Sequence, residues 1–383
     1  MSAATPPPQA LLGRPAADRL DHFRGYTVAH PLLKAADEAV TRALREPAGA
    51  SILIVVGPSG VGKTTLQQRL IRRVTEAAAL DRDPGRIPII GLEAVAPEAG
   101  HFSWKDYYVR ALTALDEPLV AHKRVAPSGR WANVGQVLGG RGVVAPELRR
   151  ALEQALEQAL CHRRPAAVVV DEAQHLVKMA SGRHLQDQFD HIKSLASTTD
   201  ALHVLVGTYE LLAFRHLSGQ LSRRSLIIHF PRYRCERAEE VHAFKSVLQA
   251  FQRRLPLRRE PDLLCQWEYC YERSIGCVGV LKDWLTRALA MALEEDAATL
   301  TRTHLRAHAL APSYCLTLAA EARDGELQLT EDPDACVRLR TLLALTASPA
   351  ASPPVVDTKP GVSRRAGQRA PRRDPVGLDA PDA

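Results

Sequence analysis

The chain has 383 residues, 46% of them hydrophobic, which is enough to bury one large α/β domain and a smaller one. Its 50 Lys and Arg against 43 Asp and Glu give a net charge of +7, a moderate excess that permits contact with nucleic-acid phosphates but excludes a polycation. No apolar run approaches the roughly 20 residues that a membrane span needs, the first 20 residues do not read as a secretory signal, and seven cysteines without a regular framework fit reduced thiols in the cytoplasm.

Residues 1–20 are rich in Pro and Ala and are expected to form a disordered tail. "SILIVV" (51–56) then reads as a buried strand, and "GPSGVGKTTL" (57–66) follows it directly. Its first eight residues match G-x-x-x-x-G-K-[ST], a phosphate-binding loop between a strand and a helix. In the loop Gly57, Pro58, Ser59, Gly60, Val61 and Gly62 the glycines would let consecutive N–H groups turn toward one anion, continued by Lys63, Thr64 and Thr65 at the helix start. Lys63 would reach the β- and γ-phosphates, and the Thr64 hydroxyl would ligate Mg²⁺.

Four further apolar runs read as strands: "IPIIGLEA" (87–94), "AAVVVDE" (166–172), "LHVLVGT" (202–208) and "SLIIHF" (225–230). Helical stretches between them predict an α/β fold with a parallel five-stranded sheet. The third run ends in two adjacent carboxylates. Asp171 would hold Mg²⁺ beside Thr64, and Glu172 would polarise the attacking water. Thr208, at the tip of the fourth strand, would orient that water and sense the γ-phosphate. Arg223 and Arg224, just before the fifth strand, form a candidate arginine finger for a neighbouring subunit's nucleotide. His175 and Lys178 read as ordinary helix residues. Cys265, Cys270 and Cys277 have gaps that do not repeat and lack a second ligand pair, so they read as idle thiols.

The sheet region spans residues 21–233. Helical patterns dominate from 234 to 311, a helical lid broken at Pro256, Pro261 and Gly276. The extension at 312–346 fits either a hairpin or a helix and a turn. From 347 to 383 a Pro/Arg-rich tail has almost nothing to bury.

This order of motifs resembles the AAA+ ATPases over residues 25–310. Within that superfamily it is most similar to the TnsC/TniB-type transposition regulators. The residues that carry the resemblance are "GPSGVGKTTL", "VVVDEAQHL", "QFDHIKSLAS", "LVGTYELL", "QLSRRSLIIHFPRY" and, in the lid, "SIGCVGVLKDWLTRAL". Tyr26–Pro31 resembles the entry to such domains, near adenine. The lid departs from many AAA+ proteins in reading "GCVGVLK" at the second sensor position, with only Lys282 nearby.

The resemblance implies ATP and Mg²⁺ as cofactors and hydrolysis of ATP as the activity. It also implies assembly of a homo-oligomer, a ring or helical filament, on double-stranded DNA. Such an assembly links a target-selector protein to a transposase, and hydrolysis takes it apart. Lys105, Arg110 and Lys193 are the candidate DNA contacts, because the nucleotide site does not need them. A competing reading is a P-loop ATPase of signalling or secretion type that acts on protein ligands. A replication-initiator loader is a third, weakened because about 35 ordered-looking residues after 311 are too few for a winged-helix domain.

Overall fold

Short β-branched runs, apolar on both faces, form strands covered on both sides. The computed structural model describes residues 8–79, 83, 85–96, 102–118, 146–178, 183–216 and 224–345. Its strands are β1 (Ile52–Val56), β2 (Ile89–Glu93), β3 (Ala167–Asp171), β4 (Leu202–Gly207) and β5 (Ser225–His229), at the five runs expected. They pair in parallel in the order β2-β3-β4-β1-β5. Every residue of β1, β3 and β4 is buried, whereas the edge strand β5 is partly open.

The helices are α1 (Ala16–Gly25), α2 (Pro31–Arg45), α3 (Lys63–Ala78), α4 (Trp104–Ala114), α5 (Pro146–Arg163) and α6 (Arg183–Thr199). They continue with α7 (Ala238–Gln252), α8 (Trp267–Ser274), α9 (Val278–Glu294), α10 (Arg302–His308), α11 (Pro312–Leu329) and α12 (Pro333–Leu342). The start of α2 shows the local logic. His30 Nδ1 accepts from Leu33 N (3.4 Å), Pro31 supplies a preset φ, and Leu33, Ala36, Val40 and Ala43 fall on one buried stripe.

Alternation along the strands divides the core. Leu53, Val55, Val204 and Val206 face α2 and α3, packing on Leu33, Val40, Leu66 and Leu70. Ile52, Ile54, Val170 and Leu205 face the other way, onto Tyr108, Leu112, Leu156 and Ile192 of α4, α5 and α6. Each such aliphatic side chain contributes about 1.5–3 kcal/mol by leaving water. A third core joins α7 and α9 through Phe244, Phe251 and Trp284, and it also takes Phe23 of α1. Trp284 Nε1 donates to Leu305 O at 2.8 Å, so the buried indole keeps a hydrogen bond.

One expectation changes and one open alternative is decided. Residues 8–20, expected to be disordered, form a 3₁₀ turn at Pro8–Leu11 and the first half of α1. The Pro/Ala composition conceals three anchors: Leu11 is buried, Phe23 enters the helical core, and Arg19 Nε donates to Pro256 O at 3.0 Å. The extension at 312–346 resolves into two helices rather than a hairpin, and Asp332 caps the second by accepting from Asp334 N at 3.0 Å. Of these, α11 belongs to the compact unit that ends at Leu329 and α12 to a second unit. The tail at 347–383 lies outside the described residues.

Candidate functional site

Strand order brings the site together. Because β4 lies between β1 and β3, the residue after β4 sits between the loop after β1 and the carboxylates that end β3. Gly57 N donates to Gly207 O at 3.3 Å, and Phe230 N donates to Val56 O at 2.8 Å, which fixes the loop's root on both sides. Gly60 (φ 74°) and Gly62 (φ 111°) occupy the left-handed region, where a Cβ is strained. No side chain caps α3 at Gly62. Its first-turn N–H groups are therefore donors that an anion would satisfy.

Lys63 is buried at the start of α3. Its Nζ donates to Gly57 O and Pro58 O, each at 2.9 Å. Burial pushes its pKa down, and the nearby Glu172 and Asp171 carboxylates pull it back up. An ammonium held by two loop carbonyls is a cation placed for a phosphate.

Thr64 Oγ1 donates to Asp171 Oδ2 at 2.8 Å, and Asp171 Oδ1 accepts from Glu172 N at 2.9 Å. Burial pushes the Asp171 carboxyl up, while the hydrogen bonds from Thr64 and the Glu172 backbone pull it down. A hydroxyl and a carboxylate are the hard oxygen donors that Mg²⁺ takes alongside water and phosphate oxygens. The residues present fit that ion.

Glu172 takes a left-handed backbone (φ 51°) at the exit of β3, uncommon for a residue with a Cβ. Its Oε2 accepts from Gln174 Nε2 at 2.6 Å, and Gln174 Oε1 accepts from Thr208 N at 3.2 Å. The Thr208 hydroxyl is buried without a protein partner. Gln174 escaped the sequence reading. The one hint was a polar residue two places after the acidic pair, at a position the structure buries. A cavity of about 650 Å³ opens here between Ser59, Glu172, Thr208 and the α11 residues Glu321 and Asp324. His175 and Lys178 line it too, although they read as ordinary helix residues.

The model of the AAA domain family matches residues 45–214, from just before β1 to beyond Thr208. Residues 45–214 are an AAA domain. The fold is that of an AAA+ P-loop NTPase. No curated protein matches the chain. Among solved structures, the chain is similar to the Aeropyrum pernix ORC1 protein in complex with DNA. Identity there is 18%, coverage 87% of this chain and 76% of that one, and the TM-score 0.48. It is also similar to the Aeropyrum pernix ORC2 protein, at 18% identity, covering 76% of this chain and 70% of that one, with a TM-score of 0.46. The Walker-type ATPase of Pyrococcus abyssi is similar at 15% identity, covering 80% and 75%, with a TM-score of 0.41.

Helical elements border the AAA domain's phosphate loop. Val280 N, in the first turn of α9, donates to Gly60 O at 3.2 Å. Lys282, the cation nearest the second sensor position, donates instead to Arg24 O at 2.7 Å, and burial lowers its pKa. It shares a small pocket with His30, Gly62 and Thr65. On the other side, α11 is held by Gly325 against the Tyr209 ring and by a half-buried ion pair, Arg232 Nε to Glu326 Oε1 at 3.0 Å.

Arg224 lies away from all of this. Ser225 pairs with Ile52 at the start of β1, and Ser51 N donates to Arg224 O at 2.9 Å. Five strand residues at about 3.3 Å each separate it from Gly57, so it faces the opposite end of the sheet. Its guanidinium is exposed and donates to Ser197 Oγ at 3.1 Å. Arg223 lies outside the described residues.

The candidate DNA contacts occupy α4 and α6, which meet where Trp104 packs edge-on against His191, ring centroids 4.3 Å apart. Arg110 Nε is paired with Asp106 Oδ2 at 2.7 Å and Lys193 Nζ with Asp190 Oδ1 at 3.8 Å, while Lys105 is half-buried. Among the described residues no helix is long and apolar enough to cross a membrane.

Proposed function

We propose that this chain is an ATPase used as an assembly switch on duplex DNA, regulating transposition by linking a target selector to a transposase. ATP hydrolysis then releases the assembly. The nucleotide chemistry rests on one constellation, the 2.8 Å Thr64–Asp171 hydrogen bond with Glu172 and Thr208 beside it. Lys63 and the N–H groups of residues 59–64 hold the phosphates. Thr64 and Asp171 hold Mg²⁺, which when bound neutralises charge on the phosphoryl oxygens. Glu172 accepts the proton of the attacking water, and the Thr208 hydroxyl orients that water. The AAA domain with the rest of 21–233 is the catalytic part and 234–311 the lid.

Assembly is the part of this reading that enlists Arg224. Lying about five strand residues from its own loop, it cannot reach that loop's nucleotide, and as an arginine finger it would serve one bound by a neighbouring copy. The DNA and transposition part rests on the motifs shared with the TnsC/TniB-type regulators and on Lys105, Arg110 and Lys193 as phosphate contacts. For Arg110 and Lys193 the present carboxylate partners would have to yield.

The deciding experiment measures duplex-DNA affinity with ATP, with ADP and without nucleotide, together with hydrolysis with and without DNA. Tight, sequence-independent, salt-sensitive binding with ATP alone is expected. Equal affinity in all three states would sink the switch, and a hydrolysis rate indifferent to DNA would favour protein ligands instead. Removing Lys105 or Lys193 should lower the salt slope by about one unit each.

A further inference from the structure

Gln174 is buried, neutral and two residues beyond Glu172, and its two polar atoms are both committed. The backbone N–H of Thr208 can only donate, so the Gln174 carbonyl must face it, at 3.2 Å. The NH₂ group is thereby turned to the Glu172 carboxylate, at 2.6 Å. A rigid bridge therefore runs from the end of β4 to Glu172, whose side chain would otherwise have several rotamers to choose from. The seat of this bridge is built into the backbone. A Cβ on Gly207 would strike the Gln174 carbonyl and crowd Leu211.

We infer that Gln174 is a positioning residue for hydrolysis: its amide ties the Glu172 carboxylate to the backbone of Thr208 and sets where that carboxylate points. This rests on the reading of Glu172 as the group that activates water. Only an amide at this length does both jobs. Met keeps the volume and loses both hydrogen bonds. Glu keeps an acceptor for the Thr208 N–H but sets a second carboxylate against Glu172.

The test compares the full-length wild type with Gln174→Met, Gln174→Glu, Gly207→Ala and Glu172→Gln. Steady-state hydrolysis, ATP affinity and thermal midpoint are measured for each. Both Gln174 variants should lose kcat by about 10²-fold, the scale of a catalytic group displaced by about 1 Å, while ATP affinity stays within about twofold of wild type. Gly207→Ala should show the same split, because it displaces the amide without removing it, and it decides the matter if the Gln174 variants do not fold. Wild-type kcat in Gln174→Met would overturn the inference. So would a Glu variant that keeps wild-type kcat where Met does not, since Gln174 would then merely satisfy the Thr208 N–H. Equal losses in affinity and kcat would mark a structural role and overturn it too. If Glu172→Gln itself hydrolyses ATP normally, the reading of Glu172 fails. If Glu172→Gln is inactive and the Gln174 variants are normal, only the positioning role fails.

Discussion

Thr64 Oγ1 lies 2.8 Å from Asp171 Oδ2, joining two residues 107 positions apart in the chain. The bond fastens the first turn of α3 to the end of β3 and places a hydroxyl and a carboxylate at one point. Thr64→Ala should therefore keep nucleotide binding through Lys63 and the loop but lose its Mg²⁺ dependence. Titrating ATP affinity with and without Mg²⁺ checks this; an Ala variant with undiminished Mg²⁺ dependence would remove Thr64 from the metal site.

Lys63→Ala should abolish nucleotide binding, lowering affinity by at least about 10²-fold, because the loop loses the one cation it holds at Gly57 O and Pro58 O. Equilibrium binding of a fluorescent ATP analogue reads the effect. Residual affinity near wild type would mean that the N–H groups of the loop suffice.

Glu172→Gln should retain ATP and fail to hydrolyse it, leaving the assembled state trapped. The substitution keeps the shape at a left-handed backbone position and removes only the basic oxygen. Turnover at the wild-type rate would reassign the water-activating group.

Arg224→Ala should leave ATP affinity of the monomer intact and remove hydrolysis, since an arginine supplied in trans is worth about 10³–10⁵ in rate. Mixed with Lys63→Ala, it should regain part of the activity. An interface can then join an intact loop from one chain to an intact arginine from the other. Co-assembly without any recovery would place Arg224 in a purely structural role, donating to Ser197.

Gly325→Ala should destabilise the protein although it improves helix propensity, because the new methyl would overlap the Tyr209 ring. Tyr209 is also tied by its hydroxyl to His229 Nε2 at 2.8 Å, so it has little room to move. A loss of about 1–3 kcal/mol is expected from the overpacking. A thermal midpoint equal to wild type would show that the ring can step aside.

Acid should weaken the fold through its buried histidines. Burial holds the His30 and His203 imidazoles at about 4, against an ordinary 6.5. The unfolded chain therefore takes up these protons first. Stability is full above about pH 6.5 and falls as pH drops toward 4, on the order of 1–3 kcal/mol for each group. His203→Leu should flatten the dependence of the urea midpoint between pH 6.5 and 4.5. An unchanged slope would show that His203 does not drive it.

What the sequence determined by itself was local. The runs "SILIVV" and "AAVVVDE" are apolar on both faces and end at glycine or carboxylates, so they form covered strands wherever they pair. The glycine spacing of residues 57–62 and the lysine after it specify an anion loop, because backbone φ and helix N-terminal donors depend on near neighbours. Tertiary structure decided the rest. Placing β4 between β1 and β3 seats Thr208 between Gly57 and Glu172, and no local pattern contains that order. The partner of the Gln174 carbonyl is an N–H 34 residues away, so a buried amide's role is unreadable until the strands are ordered. Likewise the first half of α1 reads as a Pro/Ala tail because its stability comes from Phe23 later in the helix, seated in the helical core, and from Arg19 on Pro256, contacts more than 200 residues distant. Short-range backbone chemistry is written in adjacent residues, whereas a buried polar group is defined by whichever distant partner the fold brings to it.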